Sequence, residues 1–317
     1  MRKFIILYFI IFFIPQLLFS QIRKPQWEYG VGLGTCQLFG ETGIDYNTSG
    51  DFWRDIKFKS NKFSGYGFAR YTPNRYIAYR LNLAYGKMHY TDAEAESNLA
   101  RIRRNLSFRT NIYEISGVAD FTIYTRPSTV SKYVLHGVAG IKKDEYKIYA
   151  FVGVGVFHFN PQAYYHGIWY DLQPLGTEGQ GIIPGKKPYA LTQINIPFGL
   201  GIRFSYNKIY KIGLELGFRK LFTDYLDDVS TKYYSTSEIR QKNGPVYGQI
   251  AAALSSRTYE VVDTIAERGI YNNYIYDPTG NSNSKRGNPK DNDSYSFLTI
   301  TFSYTVTAKK YVHKARF

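Results

Sequence analysis

The sequence predicts an all-β chain, an eight-stranded antiparallel transmembrane β-barrel of a Gram-negative outer membrane, with both termini periplasmic and long extracellular loops. Three observations predict it: an apolar export leader at the N-terminus, a heavy load of aromatic residues, and strand-length segments in which apolar and polar residues alternate with a period of two.

The leader is residues 1–20. Arg2 and Lys3 form a short positive segment, residues 4–19 are apolar apart from Pro15 and Gln16, and Ser20 offers a small residue before Gln21. That order is the one a secretory signal requires, with cleavage near Ser20. The run is shorter than the roughly 20 residues of a spanning helix and no stop-transfer cluster follows it. The single cysteine, Cys36, lies too far past the cleavage site for a lipoprotein anchor, and alone it supports neither a disulfide framework nor a cysteine zinc cluster. No second long apolar run follows, which excludes a helical inner-membrane protein.

Aromatic residues make up 18% of the chain, with 31 Tyr and 22 Phe, whereas the mean hydropathy is mildly polar at −0.33. A lipid-facing barrel reconciles the two: aromatic side chains sit in girdles at the membrane interfaces while every second strand residue faces a polar lumen. The net charge is +15. Export argues against nucleic acid as the counterpart, leaving anionic lipopolysaccharide, an acidic partner, or an excess of Lys and Arg that simply solvates the loops.

The strands follow in order. In 27–38, Trp27, Tyr29, Val31 and Leu33 oppose Glu28 and three glycines. Segment 62–71 is Gly-rich and its facing is not resolved by the pattern. After a turn at Pro73, Asn74 and Arg75, segment 76–89 sets Ile77, Tyr79, Leu81 and Leu83 against Arg80 and Asn82. Segment 107–124 opposes Tyr113, Ile115 and Phe121 to Glu114 and Asp120, and 147–159 is apolar on both faces. The clearest alternation runs through 191–206, turns tightly at Asn207 and Lys208, and repeats in 210–222 with Glu215 and Arg219 on the polar face. Segment 294–307 is the last. Eight strands return both ends to the periplasm, with the barrel over 21–307 and a basic periplasmic tail over 308–317. The connections alternate short and long; the longest, after Tyr225, contains a segment at 238–261 suited to a short helix.

An eight-stranded barrel has room inside only for its own side chains. The inward candidates are Glu28, Arg80, Glu114, Asp120, Arg203, Glu215 and Arg219, and both signs in so narrow a space predict ion pairs rather than a pore.

The histidines, His89, His136, His158, His166 and His313, are scattered and fit no HExxH or zinc-finger spacing. His89 and His158 fall near the expected outer rim, where a surface hydrolase or acyltransferase would place its groups, but no GxSxG motif accompanies them. Two acidic clusters, Asp291-Asn292-Asp293 and Asp224 with Asp227 and Asp228, lack EF-hand spacing and read as solvated turns. No Gly-rich segment is placed to cradle phosphate. The chain therefore reads as no enzyme, with no cofactor, no metal, no nucleic acid and no small-molecule substrate; outer-membrane lipid is the expected surrounding.

Five segments, NLSFRTNIYE (105–114), FNPQ (159–162), WYDLQPLGTEGQG (169–181), GFRKLFTDYLDD (217–228) and RGNPKDND (286–293), resemble the PorG family of type IX secretion system outer-membrane barrels. The resemblance lies largely in loops and strand ends, where barrel physics does not dictate identity. It implies association with a periplasmic ring of PorK lipoprotein and PorN, coupling of that ring to the outer membrane, and support of protein export and, in some bacteria, gliding. It supplies no catalytic residues. The periplasmic turn residues Pro73, Asn74, Arg75, Asn207 and Lys208 are the expected partner contacts. The basic tail is not part of the family pattern. The alternative is a free-standing small barrel acting as an adhesin or lipid-modifying enzyme through its outer loops.

Overall fold

The computed structural model describes residues 25–40, 42, 62–94, 101, 104–126, 145–206, 209–261 and 285–306. The expected leader, the tail over 308–317, Asn207, Lys208, His136 and His313 lie outside the described residues.

Alternating segments become ten strands: β1 (Gln26–Phe39), β2 (Lys62–Thr72), β3 (Ile77–Thr91), β4 (Ser107–Arg126), β5 (Glu145–His158), β6 (Gln162–Tyr165), β7 (Ile168–Asp171), β8 (Thr192–Tyr206), β9 (Tyr210–Leu221) and β10 (Ser294–Val306). Eight of them form a closed antiparallel barrel in the order β1, β2, β3, β4, β5, β8, β9, β10, with β10 pairing back onto β1. The two others make a short hairpin that touches β4 through Arg109 and Gln162 and turns on His166 and Gly167, both with positive φ.

The register sets the barrel's shape. Paired residues lead from Trp27 through Tyr71, Tyr79, Ala119, Val152, Phe198, Phe218 and Ser296 back to β1 at Gln37, a shear of ten residues (37 − 27). At about 3.3 Å per residue and about 4.8 Å between strands, this tilts the strands by roughly 40°.

The outward faces are apolar in layers. Trp27, Tyr76, Tyr124, Tyr146, Tyr206, Tyr210 and Tyr304 are exposed around the rim that carries the short turns. Exposed aliphatic side chains follow, among them Val31, Leu33, Leu81, Leu83, Val154, Leu200, Leu214 and Ile300, and then Phe63, Tyr113 and Phe222 toward the opposite rim. An aliphatic band between two aromatic girdles is the surface that hydrocarbon and its interfaces select. Among the described residues no helix is long and apolar enough to cross a membrane.

The inward faces interlock. On β2 the parity that composition left open puts Tyr66, Phe68 and Arg70 inside. Their rings lie over inward glycines of β1: a Cβ at Gly32 would stand 2.5 Å from the Tyr66 ring. Gly201 on β8 makes the same room for Tyr149 of β5, at 2.3 Å. Glycines that looked like a small polar face are sockets for neighbouring aromatics.

All four long connections leave from one rim, and their described residues pack together. The fourth carries the expected helix, α1 (Thr236–Ser255), which is capped by Ser235 and broken into two short helical segments at Gly244-Pro245, where Gly244 has φ 73° and is not helical. The third is pinned by glycines with positive φ at Gly176, Gly179 and Gly181. With the strand ends they bury Met88, Phe157, Phe159, Leu221, Leu226, Ile239, Ala251 and Leu254 in one apolar core. The barrel is thus closed at that end by a folded cap.

Leu200 sits in the middle of β8 and is 57% exposed. Leu200→Arg is expected to cost about 2–4 kcal/mol against denaturant in lipid vesicles, as a charge facing hydrocarbon does. A change within about 0.5 kcal/mol, the norm for an exposed residue of a water-soluble surface, would contradict a lipid-facing wall.

Candidate functional site

The residues able to define a function fall in three places: the lumen, the cap, and the rim of short turns.

In the lumen, Glu28 on β1 is in contact with Arg70 of β2 and Lys211 of β9, lies 3.4 Å from Arg203 Nη1 of β8 and accepts from Ser303 Oγ at 2.7 Å. Arg70 Nε reaches Asp120 Oδ2 at 2.8 Å, and Arg80 bridges Asp120 (3.4 Å) and Glu215 (2.7 Å). Glu215 also accepts from the hydroxyls of Tyr66 and Tyr149, each at 2.9 Å. Farther along the axis Glu114 gathers Arg219 (3.2 Å), Asn195 (3.0 Å), Tyr295 (2.7 Å) and Ser116 (2.8 Å). Guanidinium planes fill the space between: Arg219 lies 4.2 Å from the Phe297 ring centre and Arg80 5.1 Å from that of Phe151.

All seven inward candidates, Glu28, Arg80, Glu114, Asp120, Arg203, Glu215 and Arg219, are therefore buried together inside the barrel. Sequence reasoning missed two cations. Arg70 is hidden because its strand buries aromatics and exposes glycines, reversing the usual polarity. Lys211 shares the inward parity of Glu215 and Arg219 on β9, so parity alone was enough to find it. With five cations paired to four carboxylates, the lumen presents no field of one sign and no open path.

The cap is organised by a second buried network. Arg286 donates from Nη1 to Glu178 Oε1 at 3.1 Å and to the backbone oxygen of Asp228, and Nη2 lies 3.5 Å from Asp228 Oδ2. Glu178 accepts from the amides of Ser230 (2.9 Å) and Thr231 (3.0 Å) and from Thr231 Oγ1 (2.6 Å). Asp228 accepts from Thr177 Oγ1 (2.5 Å) and Tyr189 Oη (2.7 Å), on a left-handed backbone with φ 63°. The other connections join in. Asp227 takes the amide and hydroxyl of Thr42 at 3.1 and 2.8 Å; Arg104 pairs with Asp92 at 2.7 Å and donates to the Arg286 carbonyl at 2.9 Å. Asp293 accepts from the Leu226 amide at 2.8 Å.

Burial sets the electrostatics of this network. It would raise Glu178, but Arg286 and the donors from Ser230 and Thr231 hold that carboxyl below the usual range. At Asp228 burial wins over Arg286 and pushes the carboxyl up to about 6. The sequence expectation of solvated acidic turns holds for Asp291 and Asn292, which are exposed, and is corrected for Asp224, Asp227, Asp228 and Asp293, which are buried; Asp227, Asp228 and Asp293 accept from backbone or hydroxyl groups of the cap. Among the described residues no group of three His, Cys, Asp or Glu side chains converges as a metal site.

His89 and His158 lie on exposed strand ends. His158 Nδ1 meets Thr192 Oγ1 at 2.9 Å, and His89 stands edge-on to Trp169 at 5.9 Å. At the opposite rim Asn74 Oδ1 accepts from the amides of Tyr76 and Ile77, both at 2.9 Å, which fixes the turn. Arg75 is exposed there, with its guanidinium 5.1 Å from the Tyr76 ring centre, and Pro73 is half-buried.

No family model and no curated protein matches the sequence. Among solved structures, Ail, the attachment invasion locus protein of Yersinia pestis, aligns over 90% of this chain and 100% of its own at 8% identity and a TM-score of 0.36. Neisserial surface protein A aligns over 89% and 99% at 7% identity and 0.36, and the N-terminal β-barrel domain of Pseudomonas aeruginosa OprF over 90% and 100% at 7% and 0.31. The eight-stranded barrel rests on this chain's own strand pairing.

Glu215→Leu removes the nearer of the two carboxylates on Arg80, leaving Asp120 at 3.4 Å, and takes the acceptor from the Tyr66 and Tyr149 hydroxyls; it is expected to destabilise the barrel by about 3–5 kcal/mol in denaturant unfolding, whereas pairing it with Arg80→Met recovers part of that loss. For the cap, the sign follows from Asp228. Its folded carboxyl titrates near 6, above the ordinary value of 3.8. Between those values the folded state holds a proton that the opened cap releases, so rising pH weakens the cap across that window and is without effect through this group outside it. Hydrogen exchange of residues 222–235 is expected to speed up from pH 4 to pH 6 in the native chain, and the part due to this group to vanish in Asp228→Asn, which tolerates the left-handed backbone.

Proposed function

We propose that the chain is a non-enzymatic outer-membrane component of the type IX protein secretion system, bound at its periplasmic rim to a ring of PorK-like lipoprotein and PorN-like partner and coupling that ring to the outer membrane. The observation that carries this reading is a convergence. Three segments on which the PorG resemblance rests, 169–181, 217–228 and 286–293, are far apart in sequence and meet in the cap network through Glu178, Asp228 and Arg286. Three of the five segments of a resemblance that lies largely in loops and strand ends thus belong to one built unit.

The filled lumen supports the same role by elimination. A barrel whose interior is occupied by ion pairs and whose end is capped moves no cargo through itself, which leaves holding and aligning other parts. Both barrel ends, Gln26 and Val306, share a rim with the short turns, and a short-turn rim is the periplasmic side of such barrels. On this reading the cap stands outside the cell and Pro73, Asn74, Arg75, Asn207 and Lys208 face the ring.

A photoreactive residue in place of Arg75 is expected to capture a ring lipoprotein in living cells, and a strain lacking the chain is expected to retain type IX cargo inside. Normal cargo export in that strain would overturn the proposal.

A further inference from the structure

The outer surface of the cap holds a cleft of about 800 Å³ between the third connection, the start of α1 and residues 285–290. Four lysines line it, Lys186, Lys232, Lys285 and Lys290. Against them stand two carboxylates. Glu178 is paired with Arg286 and lies 3.9 Å from Lys186 Nζ, and Glu238, in the first turn of α1, accepts from the Tyr234 hydroxyl and keeps its charge. The four lysines outnumber the two carboxylates, so the lining is net positive.

The lysines are held to different degrees. Lys186 is fixed, its Nζ donating to the Glu178 carbonyl at 2.9 Å and to Thr231 Oγ1 at 2.8 Å, whereas Lys285 and Lys290 are exposed at the mouth. The lining also includes Tyr233, Tyr234 and Pro289, and Asn288, whose Nδ2 donates to Asp291 Oδ2. Ring faces suit the CH faces of a sugar, amides and hydroxyls its hydroxyl groups, and ammonium groups its anionic substituents. The volume is that of a small-ligand site of a few sugar units and is too small for a protein domain.

We infer that this cleft binds an acidic saccharide, a sugar unit bearing phosphate or carboxylate groups, with the mouth lysines on the anion and the tyrosines against the ring. Two sources present that chemistry outside an outer membrane: the phosphosugar head group of the outer-leaflet lipid and a free acidic polysaccharide. The inference rests on the orientation proposed above, which puts the cap outside the cell, and does not require the ring-coupling role.

The test uses the full chain in detergent and in vesicles, with its heat-modifiable gel mobility as the check on folding. Calorimetric titration with a phosphorylated core oligosaccharide and with a uronic-acid oligosaccharide is compared with the dephosphorylated and carboxyl-reduced forms, and vesicles with and without lipopolysaccharide form a second arm. The acidic form is expected to bind at least tenfold more tightly than its neutral counterpart and to weaken steeply with salt. Lys285→Ala with Lys290→Ala is expected to lose at least tenfold while keeping native mobility, and Tyr234→Ala to weaken binding at unchanged salt dependence. Preference for lipopolysaccharide vesicles or for the free chain assigns the source. Equal binding of neutral and acidic sugars, unchanged affinity in the folded double variant, or binding in neither arm overturns the inference.

Discussion

The guanidinium–carboxylate contacts across the lumen are what the rest of the structure depends on. An eight-stranded wall with a ten-residue shear encloses a space too narrow for water to solvate charge and too wide to be left empty. Every inward side chain must therefore be answered by one from another wall. Glu28 is met by strands β2, β8 and β9, and Glu215 by β2, β3 and β5. Apart from Glu28 with Arg70, which face each other on the paired strands β1 and β2, these contacts reach between strands that share no backbone ladder, and so they fix the cross-section as backbone pairing alone does not.

The cap repeats the principle outside the wall. Here the answering groups come from four separate connections, and carboxylates serve as acceptors for backbone amides and hydroxyls as much as partners for cations. A packed network is unexpected for long loops in a barrel, and it supplies the fixed geometry that any ligand of the cap would meet.

How far the sequence revealed this differs by region. The wall was legible because lipid outside and polar groups inside impose a two-residue period, clearest in β8 and β9. It failed where the inside is itself aromatic: in β2, Tyr66 and Phe68 point inward over glycines of β1, and in β5, Tyr149 and Phe151 do the same. The seven lumen charges were found by parity; Arg70 needed the facing of its own strand, which the pattern did not give. The cap was illegible for a different reason. Asp227, Asp228 and Asp293 look like solvated turn residues, and only partners distant in sequence, Thr42, Arg286 and Leu226, make their burial sustainable. Family resemblance flagged those segments without saying that they touch.

The position of Arg286 along the chain has a consequence for assembly order. It and Asp293 immediately precede β10, the strand that zips onto β1 to close the cylinder. Their partners Glu178, Asp228 and Leu226 are synthesised earlier and wait without them. The latch of the cap and the seam of the barrel are thus carried by one contiguous stretch of 21 residues (286 to 306) at the end of the described chain. The outer surface becomes a finished surface only when the last strand is seated, which makes a completed cap a report on a completed barrel.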